Sequence, residues 1–502
     1  MAFDLAKDAV LRWMRDHVIG RDTGFVTPYG PQRKRYFDQT ASGLPFGPIE
    51  DIIRGAILPM MANTHTEASA TGRFMTAQVD EAHRKAREAV NAREDDVVIF
   101  TGSGATGAVN KFIGILGLRV ADALAKELRL DERIPPEKRP LVVRTRMEHH
   151  SNDLPWRETI AENQTIGYDA HGRPDWRDLD RLLSLPSCRD RPLKIGTFSA
   201  ASNVTGIRSD CDALARVMHE HGGYACFDFA AAAPYVDVDL HPPDPDDRLR
   251  KDAVFLSMHK FLGGPQTPGL LLVNRALFQN RAPVEPGGGT VLYTSPWEYR
   301  YLDDLQHREE GGTPPIVQII RAGLVFDLKR AVGVSRIQAI EKDYVARAIA
   351  AWRDHPKIRI LGSLEAERLA ILSVILDGGR VHHHLAVRLL SDLYGIQVRG
   401  GCMCAGTYGH DLLGIEREES EAIRRALDRG EAAAKPGWVR ITLGPTVSEE
   451  DFGVLLRAVP DIAENWRRWA ADYAQDLHTA EWRHRDDPPI PLARLELPEG
   501  CG

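Results

Sequence analysis

Short apolar runs recur along the first half of the chain and alternate with longer stretches of mixed polarity. Val97–Phe100, Leu141–Val143, Ile195–Phe198, Tyr224–Asp228, Ala253–Leu256 and Leu270–Val273 read as strands. Strands alternating with helical stretches predict an α/β fold with a mainly parallel sheet, covered by helices on both faces. One helix is expected from about Thr76 to Ala92, with Arg, Glu and His on its outer side. Another is expected to begin near Thr106, directly after a strand.

Beyond about residue 320 the texture changes. A long helical stretch, Val317–Gly333, is broken before Val334 and leads to a second α/β set: Leu369–Leu376, Gly395–Arg399 and Trp438–Thr442. The expected division is an N-terminal segment over 1–35, a large domain over 36–320, a smaller one over 321–465, and a helical, then Pro-rich, tail over 466–502. The segment between Leu116 and Leu141 forms a long connection.

Composition narrows the function classes. At 502 residues, 43% apolar and 27% charged, the chain has the make-up of a globular protein with more than one domain. A net charge of −7 offers no basic face for nucleic acid or an anionic membrane. No run of about 18 apolar residues suggests a membrane span, and Met1–Asp8 does not read as a secretory leader. The cysteines (Cys188, Cys211, Cys226, Cys402, Cys404 and Cys501) are sparse, which fits a reducing cytoplasm. Cys402-x-Cys404 lacks the usual zinc spacing, and no second pair accompanies it. His382-His383-His384 has no acidic partner at helical spacing, and its consecutive side chains are expected to diverge. No metal site is expected.

Candidate chemistry centres on Ser257-Met258-His259-Lys260-Phe261-Leu262-Gly263-Gly264-Pro265. A lysine directly after a buried strand is costly to keep charged, and Schiff-base formation uses its neutral amine. A strand-end lysine reaching water is the alternative. Ser257 and His259 sit where a hydroxyl and an imidazole can reach a phosphate. Phe100–Thr106 is a Gly-rich strand-to-helix turn whose amides suit an anion, although many such turns are Gly-rich for steric reasons. Asp228, ending a strand, suits a protonated pyridine nitrogen or, equally, a helix N-cap. Of His149 and His150, at most one is expected to face a site, where it can stack on a ring and move protons near neutral pH. Cys404 lies in a Gly-rich stretch close to Arg399, a setting that suits an accessible, mobile thiolate. Arg440 is a candidate carboxylate clamp.

In their order along the chain these segments resemble the class V, fold-type I PLP (pyridoxal 5′-phosphate) enzymes of the cysteine desulfurase and selenocysteine lyase group, over roughly residues 36–460. Tyr36–Ser42, with Ala41, looks like that family's substrate-binding turn. The resemblance makes Gly104-Ala105-Thr106 the phosphate cup and His149 the ring-stacking histidine. It makes Asn203 the contact to the phenolic oxygen and Asp228 the pyridinium partner. Ser257, His259 and Lys260 become two phosphate ligands and the Schiff-base lysine. Pro286–Thr290 looks like the loop that reaches a neighbouring subunit's phosphate through Thr290, and Arg308–Pro314 like the turn that follows it. Cys404 falls on the persulfide-forming cysteine, while Arg399 and Arg440 fall on substrate-binding positions. Ala231 stands where the family usually has Gln or His.

The resemblance implies a homodimer with its active site at the interface, a seven-stranded, mostly parallel sheet and a smaller C-terminal α/β domain. The expected activity is C–S bond cleavage of L-cysteine or a related amino acid, with a protein as possible sulfur acceptor. A class V aminotransferase, epimerase or lyase without persulfide chemistry is the alternative. A sulfur-delivery or scaffold protein, docking through the tail that carries Cys501, is a third.

Overall fold

The computed structural model describes residues 8–493; Met1–Lys7 and the tail cysteine Cys501 lie outside them. A seven-stranded sheet contains β1 (Asp96–Thr101), β2 (Leu141–Thr145), β3 (Glu162–Ile166), β4 (Lys194–Ser199), β5 (Tyr224–Asp228), β6 (Ala253–Ser257) and β7 (Gly269–Asn274), in the order β1-β7-β6-β5-β4-β2-β3. Only β7 runs against its neighbours. The six apolar runs fall on six of these strands. The seventh, β3, has the polar sequence Glu-Asn-Gln-Thr-Ile and sits at the sheet edge, so it carries no apolar signal.

Both faces of the sheet are buried, and the sequence alternation sorts the two cores. Val98, Phe100, Val143, Phe227, Leu256 and Leu270 pack on one side. Ile99, Val142, Cys226, Phe255 and Leu271 pack on the other. Burying a side chain of this size contributes about 1.5–3 kcal/mol. Helix α1 (Ala70–Ala89) starts at Ser69, whose side chain caps the Gly72 N–H, six residues before the expected start. Helices α2 (Gly104–Ile115) and α3 (His150–Arg157) follow β1 and β2. Helix α4 (Ile316–Val332) lies on α1, and Gly323 permits close approach to Ala82. Gly333, at φ 85°, separates α4 from α5 (Val334–Trp352).

A second, antiparallel sheet has the order β8 (Ile358–Ile360), β9 (Ile371–Leu376), β11 (Trp438–Thr442), β10 (Arg399–Gly401). The single strand expected over Gly395–Arg399 is split, because Ile396–Gln397 pairs in parallel with Arg35–Tyr36 instead. Helix α6 (His383–Tyr394) backs β10, and α7 (Gly406–Leu413) follows it. Among the described residues after 466, only Arg467–Ala470 is helical. Tyr473–Gln475 and Trp482–His484 form a hairpin against α6, so this part of the expected tail is tied down. Among the described residues no helix is long and apolar enough to cross a membrane.

Residues 35–43 knit the two sheets together. The Phe37 N–H donates to Gln397 O (2.9 Å), and Phe37 O accepts from the Thr442 N–H (2.8 Å). The Gly43 N–H donates to His259 O at 2.9 Å, and a Cβ on Gly43 would stand 1.8 Å from Phe261 O. Backbone blocks that position, so Gly43→Ala is expected to lower stability by at least about 1–3 kcal/mol. Gly55→Ala, with nothing within 4 Å of its Cβ, should stay within about 0.5 kcal/mol. Thermal denaturation of the two variants checks the contrast.

Candidate active site

The C-terminal ends of β1, β2, β4, β5 and β6 gather at one rim, where open α/β sheets bind ligands. They enclose a cleft of about 240 Å³, and β10 and β11 close it from the second sheet. Every site residue expected from the sequence lines it except Thr290. Thr290 is buried elsewhere, with its hydroxyl donating to Gly287 O at 2.7 Å.

The turn after β1 leads into α2 with Gly102 and Gly104 at positive φ. Ser103 makes no side-chain cap, so the helix N-terminus keeps free amides facing the cleft, a ready anion site. The Ala105 N–H donates to Ser257 Oγ (2.8 Å). A Cβ on Gly104 would come within 2.8 Å of Ser257 Oγ and 3.3 Å of His259 Nε2. This cradle of amides, hydroxyl and imidazole around a bare Gly fits a phosphate group. Burial pushes the His259 ring down to about 4.

Lys260 ends the single turn Met258–Lys260 after β6, and burial pushes its amine down to about 8. Asp228 ends β5, is buried, and accepts the Ala230 N–H at 2.8 Å. Burial raises its carboxyl pKa, against the pull of the Ala230 amide and Lys260. Ala231 lines the cleft beside it and offers only a methyl group.

His149 caps α3. Its Nδ1 accepts the Ser151 N–H at 3.1 Å, which leaves the ring proton on Nε2. Ser151 Oγ lies 3.0 Å from the same nitrogen and 2.6 Å from Thr106 Oγ1, linking the ring to the start of α2. Burial and the nearby Lys260 charge push His149 down to about 3. The ring is therefore neutral near pH 7, a donor at Nε2 rather than the proton carrier expected from its type. Beneath it, buried Glu148 is pushed up to about 7 by desolvation, against donors from Thr145, Asn152 and Ser199.

Sequence reasoning missed Asp38. Its carboxylate takes Arg399 Nε at 3.0 Å and Arg440 Nη2 at 2.8 Å. Arg440 also donates to Asn203 O (3.3 Å), and its buried Nε has no partner among the described residues. A buried, unpaired guanidinium N–H in a cleft suits an anionic ligand group.

Cys404 is exposed at the cleft, and its thiol lies near enough to Lys260 to act on its charge. Its loop is held firmly rather than loosely. Asn203 Nδ2 donates to Met403 O (2.8 Å), and the His150 N–H donates to Cys404 O (2.7 Å). His150 Nε2 accepts the Gly406 N–H (3.0 Å). Met403 and Cys404 both sit at φ 55°, in the left-handed region, at a cost of about 1–2 kcal/mol each. The two histidines thus divide the work: His149 lines the cleft and His150 latches the cysteine loop. Cys402 points away, into the packing around Met403, Tyr408 and Trp438.

The rings of His382, His383 and His384 do not diverge as expected, because His382 is a non-helical N-cap and the chain turns there. His382 Nδ1 accepts from the His384 and Trp482 N–H groups, which puts its proton on Nε2, where a metal would need a lone pair.

With this geometry in hand, the family model for aminotransferase class-V matches residues 35–454. The chain belongs to the aminotransferase class-V family. Class-V aminotransferase-fold proteins of the cysteine desulfurase kind are generally PLP-dependent. A Streptomyces coelicolor relative, described as a probable cysteine desulfurase, is 30% identical to this class-V chain over 349 residues, 68% of this chain and 77% of the relative. A probable cysteine desulfurase of Halalkalibacterium halodurans is 28% identical over 352 residues, again 68% and 77%. Among solved structures, a cysteine desulfurase from Thermococcus onnurineus has TM-score 0.71 at 20% identity, covering 91% of this chain and 99% of its own. One from Escherichia coli has TM-score 0.65 at 22% identity, covering 86% and 94%. These two likenesses establish the fold.

Removing the His150 latch should loosen the cysteine loop of this class-V chain while sparing the α2 cradle. His150→Ala leaves the Gly406 N–H unpaired and should slow any Cys404-dependent turnover about tenfold or more. Phosphate protection of the cleft against proteolysis should be unchanged. Steady-state kinetics and limited proteolysis with inorganic phosphate read the two effects separately.

Proposed function

We propose that this chain is a PLP-dependent enzyme that cleaves the C–S bond of L-cysteine or a related amino acid and takes the sulfur onto Cys404. One observation carries the reading: Lys260 and Cys404 line the same cleft, with the unpaired Arg440 Nε between the two sheets. The names of the curated relatives support it. Bound PLP supplies an electron sink for negative charge at the substrate Cα. The α2 amides, Thr106, Ser257 and His259 would hold its phosphate. Asp228 would pair with its ring nitrogen, His149 would stack on the ring, and Asn203 would serve its phenolic oxygen. Thr290 is buried within its own chain with its hydroxyl on Gly287 O, so a phosphate contact across a homodimer, with each copy serving the other, would require that loop to open.

Arg440, with Arg399 beside it, takes the substrate carboxylate, near Ala41. Lys260 would hold the cofactor covalently at rest, and its amine is the base that would take the Cα proton. The Cys404 thiolate attacks the substrate sulfur. An S–S bond forms, the C–S bond breaks and its electron pair passes to the substrate Cβ, which is protonated; Cα regains its proton from Lys260, giving alanine. Cys404 is left as a persulfide for a thiol acceptor, which a partner protein could supply. On this reading 36–320 is the large domain and 321–465 the small one, with the N-terminal segment up to residue 35 packing on the small domain, working in the cytoplasm.

Ala231 favours a second reading, a class V transaminase, epimerase or simple lyase, because the cleft lacks the polar group usual at that position. Cys404→Ala separates the two. Sulfide and alanine production from L-cysteine should fall at least about 100-fold on the first reading. Unchanged yields, measured by mass spectrometry, would sink it. The purified chain should also be yellow, and Lys260→Ala should not be. A colourless wild-type chain, unaltered by added PLP, would point to a scaffold instead.

The Lys260 pKa gives a pH prediction. Its cation cannot attack a carbonyl, so PLP capture by the cofactor-free chain should speed up about tenfold per pH unit below about 8 and level off above it. Stopped-flow absorbance across pH 6–9 reads the profile.

A further inference from the structure

Where α1 meets β1, His83 is buried and both its ring nitrogens are engaged. Nδ1 lies 3.0 Å from Val79 O, which can only accept, so this nitrogen carries a proton. Nε2 lies 3.0 Å from Glu310 Oε1, which already accepts the Phe100 N–H at 2.7 Å. Without a proton between that nitrogen and that oxygen, two buried lone pairs would oppose each other. A neutral ring has one proton and both positions need one, so the pair holds an extra proton. Burial opposes the charge, the Glu310 carboxylate outweighs it, and the His83 pKa is raised. Asp80, on the same helix, adds to that pull. Phe100, packed edge-on at 4.9 Å, offers no charge. On α4, Asp327 is paired with Lys85 and Arg321 with Glu50.

β1 pairs only with β7, so the Phe100 N–H lies on the open edge of the large sheet. Glu310 closes that edge from a strap that runs between two glycine hinges. A Cβ on Gly287 or Gly288 would meet nothing within 4 Å, nor would one on Gly312, at φ 81°. Between the hinges, Thr290 O accepts the Leu302 N–H (3.0 Å), and the Gly312 N–H donates to Gly288 O (2.8 Å). A Cβ on Gly311 would stand 3.0 Å from Thr290 Cγ2, so the residue after Glu310 is part of the wall that buries Thr290. Lys111 Nζ also holds the strap, donating to Glu309 O at 2.9 Å. The imidazole is the tie that can lose a proton near neutral pH.

We propose that His83 and Glu310 form a pH-sensitive latch that closes the strap onto β1 and keeps Thr290 covered. The closed strap binds the extra proton and the open one releases it. The latch is therefore fully present below about pH 6.5, the ordinary value for histidine. Above that it weakens by up to about tenfold per pH unit, and the loss levels off once pH passes the raised value of the closed form. Opening would free Thr290 to reach a second copy, and that consequence alone rests on the reading of the cleft as a cofactor site.

Hydrogen exchange of the full chain, read by mass spectrometry over 287–313 and at the end of β1, tests the latch without cofactor chemistry. His83→Gln keeps a donor facing Glu310 but has nothing to titrate, and comparing two proteins at one pH cancels the intrinsic exchange rate. The ratio of wild-type to variant exchange should rise at least about threefold between pH 6 and pH 9, while β5 keeps its protection. Glu310→Gln removes the anion and keeps an acceptor for the Phe100 N–H. Its strap should be as poorly protected at pH 6 as the wild-type strap is at pH 9, and this variant carries the test if His83→Gln does not fold. Wild-type protection that stays flat from pH 6 to pH 9 would overturn the latch. So would Glu310→Gln protected as well as the wild type at pH 6, or a loss shared equally by β5, which marks general unfolding.

Discussion

The cleft depends on one carboxylate. Asp38 binds Arg399 on β10 and Arg440 on β11, both from the second sheet. The backbone on either side of it is tied to Gln397, Thr442 and the lysine turn of the first sheet. The buried Arg440 guanidinium and the exposed Arg399 guanidinium beside it would repel each other without that shared anion. Their pairing fixes where the second sheet meets the first, and the meeting surface is the wall that carries Cys404. Lys260, Arg440 and Cys404 therefore share a cleft because Asp38 holds two arginines side by side.

The large sheet was legible in the sequence because its strands are buried on both faces and read as unbroken apolar runs. β3 was not, since an edge strand can be polar. Lys260, His149, Asp228 and Thr106 were legible because each follows a strand end, where ligands bind in such sheets. Asp38 was quoted in its segment but given no role. Its partners lie 361 and 402 residues further along the chain, and no local pattern reports so distant a pairing. His150 was missed for a different reason. Its work is a ring nitrogen accepting one backbone N–H, which any histidine can do, and only the fold says which amide it meets.

The histidines also show the limit of reasoning from residue type. An imidazole with an ordinary pKa would exchange protons near pH 7, but burial beside a lysine removes that freedom from His149. The same burial brings the Lys260 amine closer to its neutral form. One desolvated pocket thus keeps one base from holding a proton and makes the other a better nucleophile. The cysteine loop adds a constraint of another kind, two consecutive left-handed residues held by three hydrogen bonds, so the thiol is presented in one place.

The Asp38–Arg440 pair spans nearly the whole chain, which has a consequence for synthesis. At about 5–20 residues per second, the 402 residues between them take roughly 20–80 s to emerge from a ribosome. Only over the last 166 of those residues, roughly 8–33 s, have all seven strands of the large sheet emerged, together with the phosphate cradle and Lys260. Its rim lacks the wall made by β10 and β11. A nascent chain can therefore present a cofactor-sized cradle, open to solvent and without its cysteine, well before it can hold a substrate.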